Sequence, residues 1–441
     1  MKRIIFLFCL TLVIGPVFSQ PYFTLQSAID TALSRNFDVR QRGLLAEQAE
    51  ANMKQARANL LPDLSASLNH GINQGRSIDP FTNQFVNQTV NYAGYGLNSG
   101  IILFNGLNLQ NTVKQFATAY DASRMEQQQA KDNLTLNVML AYLQVLNTED
   151  LLSAATKQKE VSEKQLERLQ ILDKQGAISP SQVSDVKGQL MNDELSILNL
   201  RNSLETAKLS LAQLLNIPYQ RTMQLERVNA EEFLTSYGAT SSDIYQTALQ
   251  QFSLVKAVEL RKKSAEYAAK AARGSLFPVL SLNGNAQTNY SSVAMDNTGK
   301  IAYKDQLSNN MFYTVNLGLR VPIFNNRRAR TNIKLADIAL RNTELQEENT
   351  RILLQQQIEQ AHLNMTNAYE RYKTLLEQVN AYNTSFKAAE ARLTAGVGTT
   401  VDYVLAKANL DRTNIALISS RYDFVLRKKI LDYYQNVTLI K

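Results

Sequence analysis

The sequence predicts a mixed α+β membrane protein in which each chain gives four strands to a shared β-barrel and continues into long helices of coiled-coil periodicity. Three observations carry this reading. The chain is written twice, each copy holds two strands of alternating polarity joined by a long polar loop, and each copy then runs for about 70 residues without proline.

Composition already excludes several classes. Of 441 residues, 44% are apolar and 20% charged, a balance unlike that of disordered or collagen-like chains. The net charge of +8 is modest, and the basic residues alternate with acids, so no nucleic-acid stripe forms. At the N-terminus Met1-Lys2-Arg3 precedes an apolar run from Ile4 to Phe18, closed by Ser19-Gln20-Pro21. A charged start, a short apolar stretch and a small residue before the break make 1–19 a secretory signal peptide. The competing membrane anchor would need about 20 apolar residues. The single cysteine, Cys9, lies inside that run, so the mature chain has neither disulfides nor thiolate metal sites.

The repeat orders everything that follows. Leu61-Pro62-Asp63-Leu64-Ser65 returns as Phe277-Pro278-Val279-Leu280-Ser281 after 216 residues, whereas Leu103-Phe104-Asn105 returns as Ile323-Phe324-Asn325 after 220. The extra four residues fall between Pro62 and Phe104, where a loop absorbs them best. Helices rich in Ala, Gln, Lys and Glu are expected at 44–60 and 256–276, each stopped by the proline that follows.

Beyond each proline the period becomes two. Leu64, Ala66 and Leu68 alternate with Ser65, Ser67 and Asn69, and Leu280, Leu282 and Ala286 with Ser281, Asn283 and Asn285. Tyr95, Leu97, Ile101 and Leu103 form one face of the next strand, and Tyr313, Val315, Leu317, Leu319 and Val321 that of its counterpart, with Asn316 and Arg320 on the opposite side. Such strands suit either an outer-membrane barrel or a half-buried soluble sheet. In the membrane reading four strands cannot close a barrel, which takes at least eight, so several subunits must share one.

From 105 to about 175 and from 325 to about 394 the chain reads as continuous helix, about 105 Å long at 1.5 Å per residue. In the second stretch Ile358, Ala361, Met365, Ala368, Tyr372, Leu375, Val379, Tyr382, Phe386, Ala389 and Leu393 recur at spacings of three and four, a coiled-coil seam. Each stretch is followed by a second helix of the same spacing, beginning at Val183 and Tyr403, and Gly176 and Gly396 mark the turns between partners. The polar faces, rich in Gln and Glu, fit a solvated surface or the lining of a water-filled tube. His70 and His362 have no partner at metal-ligand spacing, and no phosphate loop or nucleophile elbow is present. An enzyme is therefore not expected, and no cofactor.

The signal, the duplicated halves, the Leu61-Pro62-x-Leu64-Ser65 and Phe277-Pro278-x-Leu280-Ser281 junctions, Pro322-Ile323-Phe324-Asn325, and hairpins turning at Gly176 and Gly396 together resemble the TolC outer-membrane efflux family over nearly the whole mature chain. The resemblance implies a homotrimer whose twelve strands close one barrel in the outer membrane of a Gram-negative cell. The helices would continue it as a coiled-coil barrel, a tunnel through the periplasm. It implies a passive exit duct of a tripartite efflux or type I secretion system, meeting outer-membrane lipid, a periplasmic adaptor protein and an inner-membrane transporter. An exported coiled-coil scaffold or adhesion protein without transport is the alternative.

On this reading the segments are 1–19, the signal; 20–60, N-terminal helices; 61–104, the first barrel hairpin; 105–216, the first helical hairpin; and 217–243, an equatorial linker. The second half supplies a helix at 244–276, a barrel hairpin at 277–324, a helical hairpin at 325–435 and a tail at 436–441. The resemblance assigns adaptor docking to the tips, Gly176, Ala177, Ile178 and Ser179 with Gly396, Val397, Gly398 and Thr399. A plain glycine cap explains the same residues. Where the family carries acids one turn past the tips, this chain has Gln182, Tyr403 and Ala406. Asp185 and Asp402 are the nearest carboxylates for a periplasmic gate, with Tyr403 as an aromatic plug, unless all three pack or solvate helix N-termini.

Overall fold

The repeat of sequence is also a repeat of elements in the computed structural model, which describes residues 22–79, 81, 83–227, 237–297 and 299–435. The expected signal 1–19, the tail 436–441 and part of the linker 217–243 lie outside the described residues. The first half runs β1 (Tyr22–Phe23), α1 (Leu25–Arg35), α2 (Phe37–Ala58), β2 (Ser65–Asn73), β3 (Arg76–Ile78), β4 (Phe85–Asn87), β5 (Val90–Phe104), α3 (Asn108–Lys174), α4 (Pro180–Leu215) and β6 (Gln224–Leu225). The second runs α5 (Ser241–Gln251), α6 (Ser253–Gly274), β7 (Val279–Ser291), β8 (Met295–Asp296), β9 (Gly299–Lys300), α7 (Tyr303–Asn309), β10 (Phe312–Arg320), α8 (Arg328–Thr394) and α9 (Thr400–Tyr434). Both bounds of α5 and α6 lie 216 residues past those of α1 and α2, and both bounds of α8 lie 220 past those of α3. The change of offset falls in the strand region, as the repeat requires. No helix among the described residues is long and apolar enough to cross a membrane.

The chain divides into two compact units. One holds Gln41–Gln129 and Leu249–Leu354, and its centre is an antiparallel sheet in the order β10-β7-β5-β2. Residues opposite one another in an antiparallel pair share a face, and the register sorts them cleanly. Ala66, Leu97, Ala286 and Tyr313 form one row, and Ile101, Leu282 and Leu317 another. The opposite face carries the row Ser65, Asn98, Asn285 and Thr314, with the Asn285 side chain donating to Asn98 Oδ1 at 2.6 Å. A bulge between Ile102 and Phe104 sets Phe104 opposite Leu280, the place that strict alternation gives to Leu103. Among the described residues no strand continues the sheet beyond β2 or β10.

In the same unit α6 is tied by ion pairs to α3, through Arg261 and Glu126 at 2.7 Å, and to α8, through Lys262 and Glu347 at 2.6 Å and Glu259 and Arg351 at 2.6 Å. Burial would push the Glu347 carboxyl up, but hydrogen bonds from Lys262 and Arg351 outweigh it and hold the group below its ordinary range. Where the strands return to helix, Gly106 has φ of +65°, and a side chain there would come within 2.5 Å of the Gly274 carbonyl oxygen. Both the turn and the close approach require glycine.

The other unit comprises the described residues of Met1–Arg40, Ala130–Ala248 and Gln355–Lys441. Its core gathers Ile29 of α1, Val138 and Tyr142 of α3, Leu211 and Leu215 of α4, and Val425 of α9. β1 and β6 pair in parallel against it. The buried Tyr142 hydroxyl donates to the Phe23 carbonyl at 2.9 Å, with the Glu226 carbonyl at 2.8 Å sharing the proton, and burial raises its pKa. The expected seam is the inward one: Ile358, Met365, Ala368 and Ala389 of α8 are buried, as are Val138, Val145, Ala155, Ser162 and Leu169 at the matching positions of α3.

Candidate functional site

The two helical turns that carry the sequence-predicted site are built alike. At the end of α3 the Gly176 amide donates to the Asp173 carbonyl at 2.8 Å and the Ala177 amide to Leu172 at 2.9 Å; at the end of α8 Gly396 donates to Leu393 at 3.2 Å and Val397 to Arg392 at 3.1 Å. These are paired Schellman endings, with φ of +70° at Gly176 and +73° at Gly396. A Cβ at either glycine would meet nothing within 4 Å, so the backbone angle alone selects the residue. Ala177, Ser179, Gly396, Val397 and Thr399 are exposed and Ile178 and Gly398 half-buried, and Val397 keeps 77% of its surface.

The next helices start differently. Ser179 caps α4 by accepting from the Ser181 amide at 3.3 Å, with Pro180 in the first turn. Thr399 caps α9 by accepting from the Asp402 amide at 3.1 Å while its hydroxyl donates to Asp402 Oδ2 at 2.8 Å, a reciprocal arrangement akin to a capping box. Asp402 is exposed, and capping accounts for an acid at its position. Asp185, also exposed, accepts from the Thr400 hydroxyl at 3.0 Å, so it links the first tip to the second. Arg168 makes a parallel link, donating to Thr394 Oγ1 at 2.7 Å. Gln182 is half-buried.

Tyr403 corrects the expectation of an aromatic plug. It is 1% exposed, and its ring lies against Phe386 with centroids 5.5 Å apart. As the first residue of the α9 seam it turns inward, and a ring with no free face cannot block a passage. Burial raises its hydroxyl pKa.

Beyond the tips lies a polar cluster that sequence reasoning passed over. Lys407 of α9, 2% exposed, meets Asp193 Oδ2 of α4 at 3.1 Å and Asp411 Oδ2 at 2.5 Å. Asp193 also accepts from Ser162 of α3 at 2.5 Å and from Gln189 at 2.8 Å. Burial pushes the Asp411 carboxyl up against the opposing pull of Lys407. A signal was present: the α4 seam runs Val183, Val186, Leu190, Ile197, and the turn it skips holds Asp193. A missing apolar residue in a seam marks a buried polar partner.

One sheet face is apolar and exposed, the other is lined by asparagine, serine and glycine, and paired helical turns follow at the far ends of 67-residue helices. These features suit a protein with membrane strands and long helical hairpins. The profile of the family described as "Outer membrane efflux protein" matches residues 28–216 and 244–429, and the chain belongs to that family. It is an exit duct for efflux in the outer membrane. Outer membrane protein TolC of Escherichia coli K12 is 22% identical over 397 residues, covering 89% of this chain and 78% of its own. The pyoverdine export outer membrane protein OpmQ of Pseudomonas putida is 23% identical over 379 residues, 85% and 77% of the two chains. The fold is similar to that of CusC, with a TM-score of 0.80 at 18% identity over 93% of this chain and 91% of CusC. It is similar also to VceC of Vibrio cholerae, at 0.79 and 15%, covering 93% and 95%.

Proposed function

We propose that three copies of the chain form the duct, with segments 61–104 and 277–324 closing a twelve-stranded barrel and segments 105–216 and 325–435 continuing it as a coiled-coil barrel in the periplasm. The observation that carries this reading is the sheet. It has four strands, two edges that no further strand covers among the described residues, and an exposed apolar face, and only closure removes such edges in a bilayer. A coiled-coil scaffold without transport leaves this sheet without a role.

The duct is a passive conduit, with no catalytic step. It works in a tripartite efflux or type I secretion system, receiving substrate from an inner-membrane transporter through a periplasmic adaptor. CusC and OpmQ are similar proteins, and the latter's name assigns it to pyoverdine export. The adaptor docks on Gly176–Ser179 and Gly396–Thr399, whose exposed small residues permit close approach. Asp185 and Asp402, with Gln182 beside them, line the periplasmic opening, where converging carboxylates favour cations.

Single-channel recording of the purified protein tests this. The wild type is expected to conduct with cation preference, and D185N with D402N to lower that preference at least twofold. Unchanged selectivity would remove these residues from the opening, and recovery of a soluble monomer from the periplasm would overturn the trimeric duct.

A further inference from the structure

The apolar face of the sheet is not uniformly filled. Between β2, β5 and β7 a groove of about 260 Å³ is lined by Ala66, Leu68, Tyr95, Leu97, Ala286 and Met311. It exists because two of the four side chains in the row Ala66, Leu97, Ala286 and Tyr313 are alanines, flanked by larger neighbours. At its loop end the Tyr95 hydroxyl is hydrogen-bonded to that of Tyr303 at 2.5 Å, and Tyr303 leans on Tyr290 with centroids 4.8 Å apart. The helix bearing Tyr303 is fixed in turn. The buried Gln306 side chain accepts from the Ser291 amide at 2.8 Å and donates to the Ser291 and Ile301 carbonyls at 3.0 and 2.9 Å.

We propose that this groove seats one acyl chain of a membrane glycerophospholipid, with the Tyr95 and Tyr303 hydroxyls at its headgroup end. The inference rests on the outer-membrane reading, in which the apolar face meets the bilayer. The groove is continuous with that face, and paired tyrosines at the strand ends suit the boundary between hydrocarbon and headgroups. All its named walls but Met311 are strand residues locked in register, so the seat is largely formed before the lipid arrives and loses little on ordering.

The chain has no tryptophan, so one introduced indole reports without background. Y313W places it directly opposite Ala286, beside the groove, and L319W places it on the same face six residue pairs away. The assembled, delipidated protein in detergent is titrated with phosphatidylethanolamine brominated in mid-chain. Y313W is expected to quench saturably near one lipid per chain, at a concentration at least threefold below that for L319W. Filling the groove with A286F, or with A66F should A286F fail to assemble, is expected to erase that difference. Equal quenching of the two reporters in the unfilled protein, or a difference that survives filling, would overturn the seat. Failure of the membrane reading looks different: neither reporter would be quenched in vesicles of the same brominated lipid.

Discussion

The sheet and the helical tips meet their chemical needs in opposite ways. At the tips most demands are answered inside the chain: the turn carbonyls accept from Gly176 and Gly396, the helix starts are capped by Ser179 and Thr399, and the buried Lys407 ammonium has two carboxylates, the buried Tyr403 hydroxyl being the exception. In the sheet, Leu317 is 63% exposed and the edges β2 and β10 have no further strand among the described residues. The contrast separates two kinds of surface. On the proposed reading the sheet is half of an interaction, needing lipid on one face and other strands at its edges, while the tips are surfaces that an adaptor would meet without refolding them.

The largest effect is expected where the self-sufficient region is broken from within. Lys407→Ala leaves Asp193 and Asp411 buried without their cation, and loss of one partner of a buried pair costs about 3–5 kcal/mol. Thermal unfolding of the detergent-solubilised protein should show it, and a change under 1 kcal/mol would mean that the cluster hydrates freely. On the sheet, Leu317→Arg should cost about 2–4 kcal/mol near the bilayer midplane while Asn316→Arg is tolerated in a watery lumen. Equal damage at both positions, measured by denaturant titration in vesicles, would dissolve the distinction between the faces.

Smaller changes test the symmetry of the tips. Thr399→Ala removes a cap worth about 1 kcal/mol, and Ser179→Ala should cost less because its amide bond is longer and its hydroxyl meets the neutral Ser181 hydroxyl at 2.9 Å instead of a carboxylate. Hydrogen exchange in the first turns of α9 and α4 measures both, and equal loosening would contradict the difference between the caps. Asp411 gives the smallest signal. Its folded pKa lies above the unfolded value, so its contribution is fully present below the unfolded pKa and declines as pH rises through the folded one. Asp411→Asn should flatten stability against pH across that window, and an unchanged slope would assign the dependence to another group.

How much of this was legible follows from what each pattern records. Strand alternation reports faces directly, so Leu282 and Leu317 against Asn283 and Asn316 were assigned before any register was known, and the register bears them out. Proline-free length and the two tip glycines gave the helical hairpins within a few residues. The bulge at Leu103 was not legible, because one extra residue shifts a face without altering composition. Nor was α7, whose position depends on Gln306 reaching Ser291 across 15 residues. Tyr403 misled because a tip residue and a seam residue share one position, and burial decided between them. Asp193 and Lys407 drew no attention, since a sequence shows each charge but not the partner another helix brings.

The claim on which the account depends is that other copies of this chain complete the sheet. Native mass spectrometry of the protein released from detergent, with strand content measured on the same sample, addresses it most directly. The account predicts three times the mature chain mass, with dissociation into monomers accompanied by loss of strand signal. A stable monomer that keeps its full strand content would contradict it, because its two edges would then need no partner.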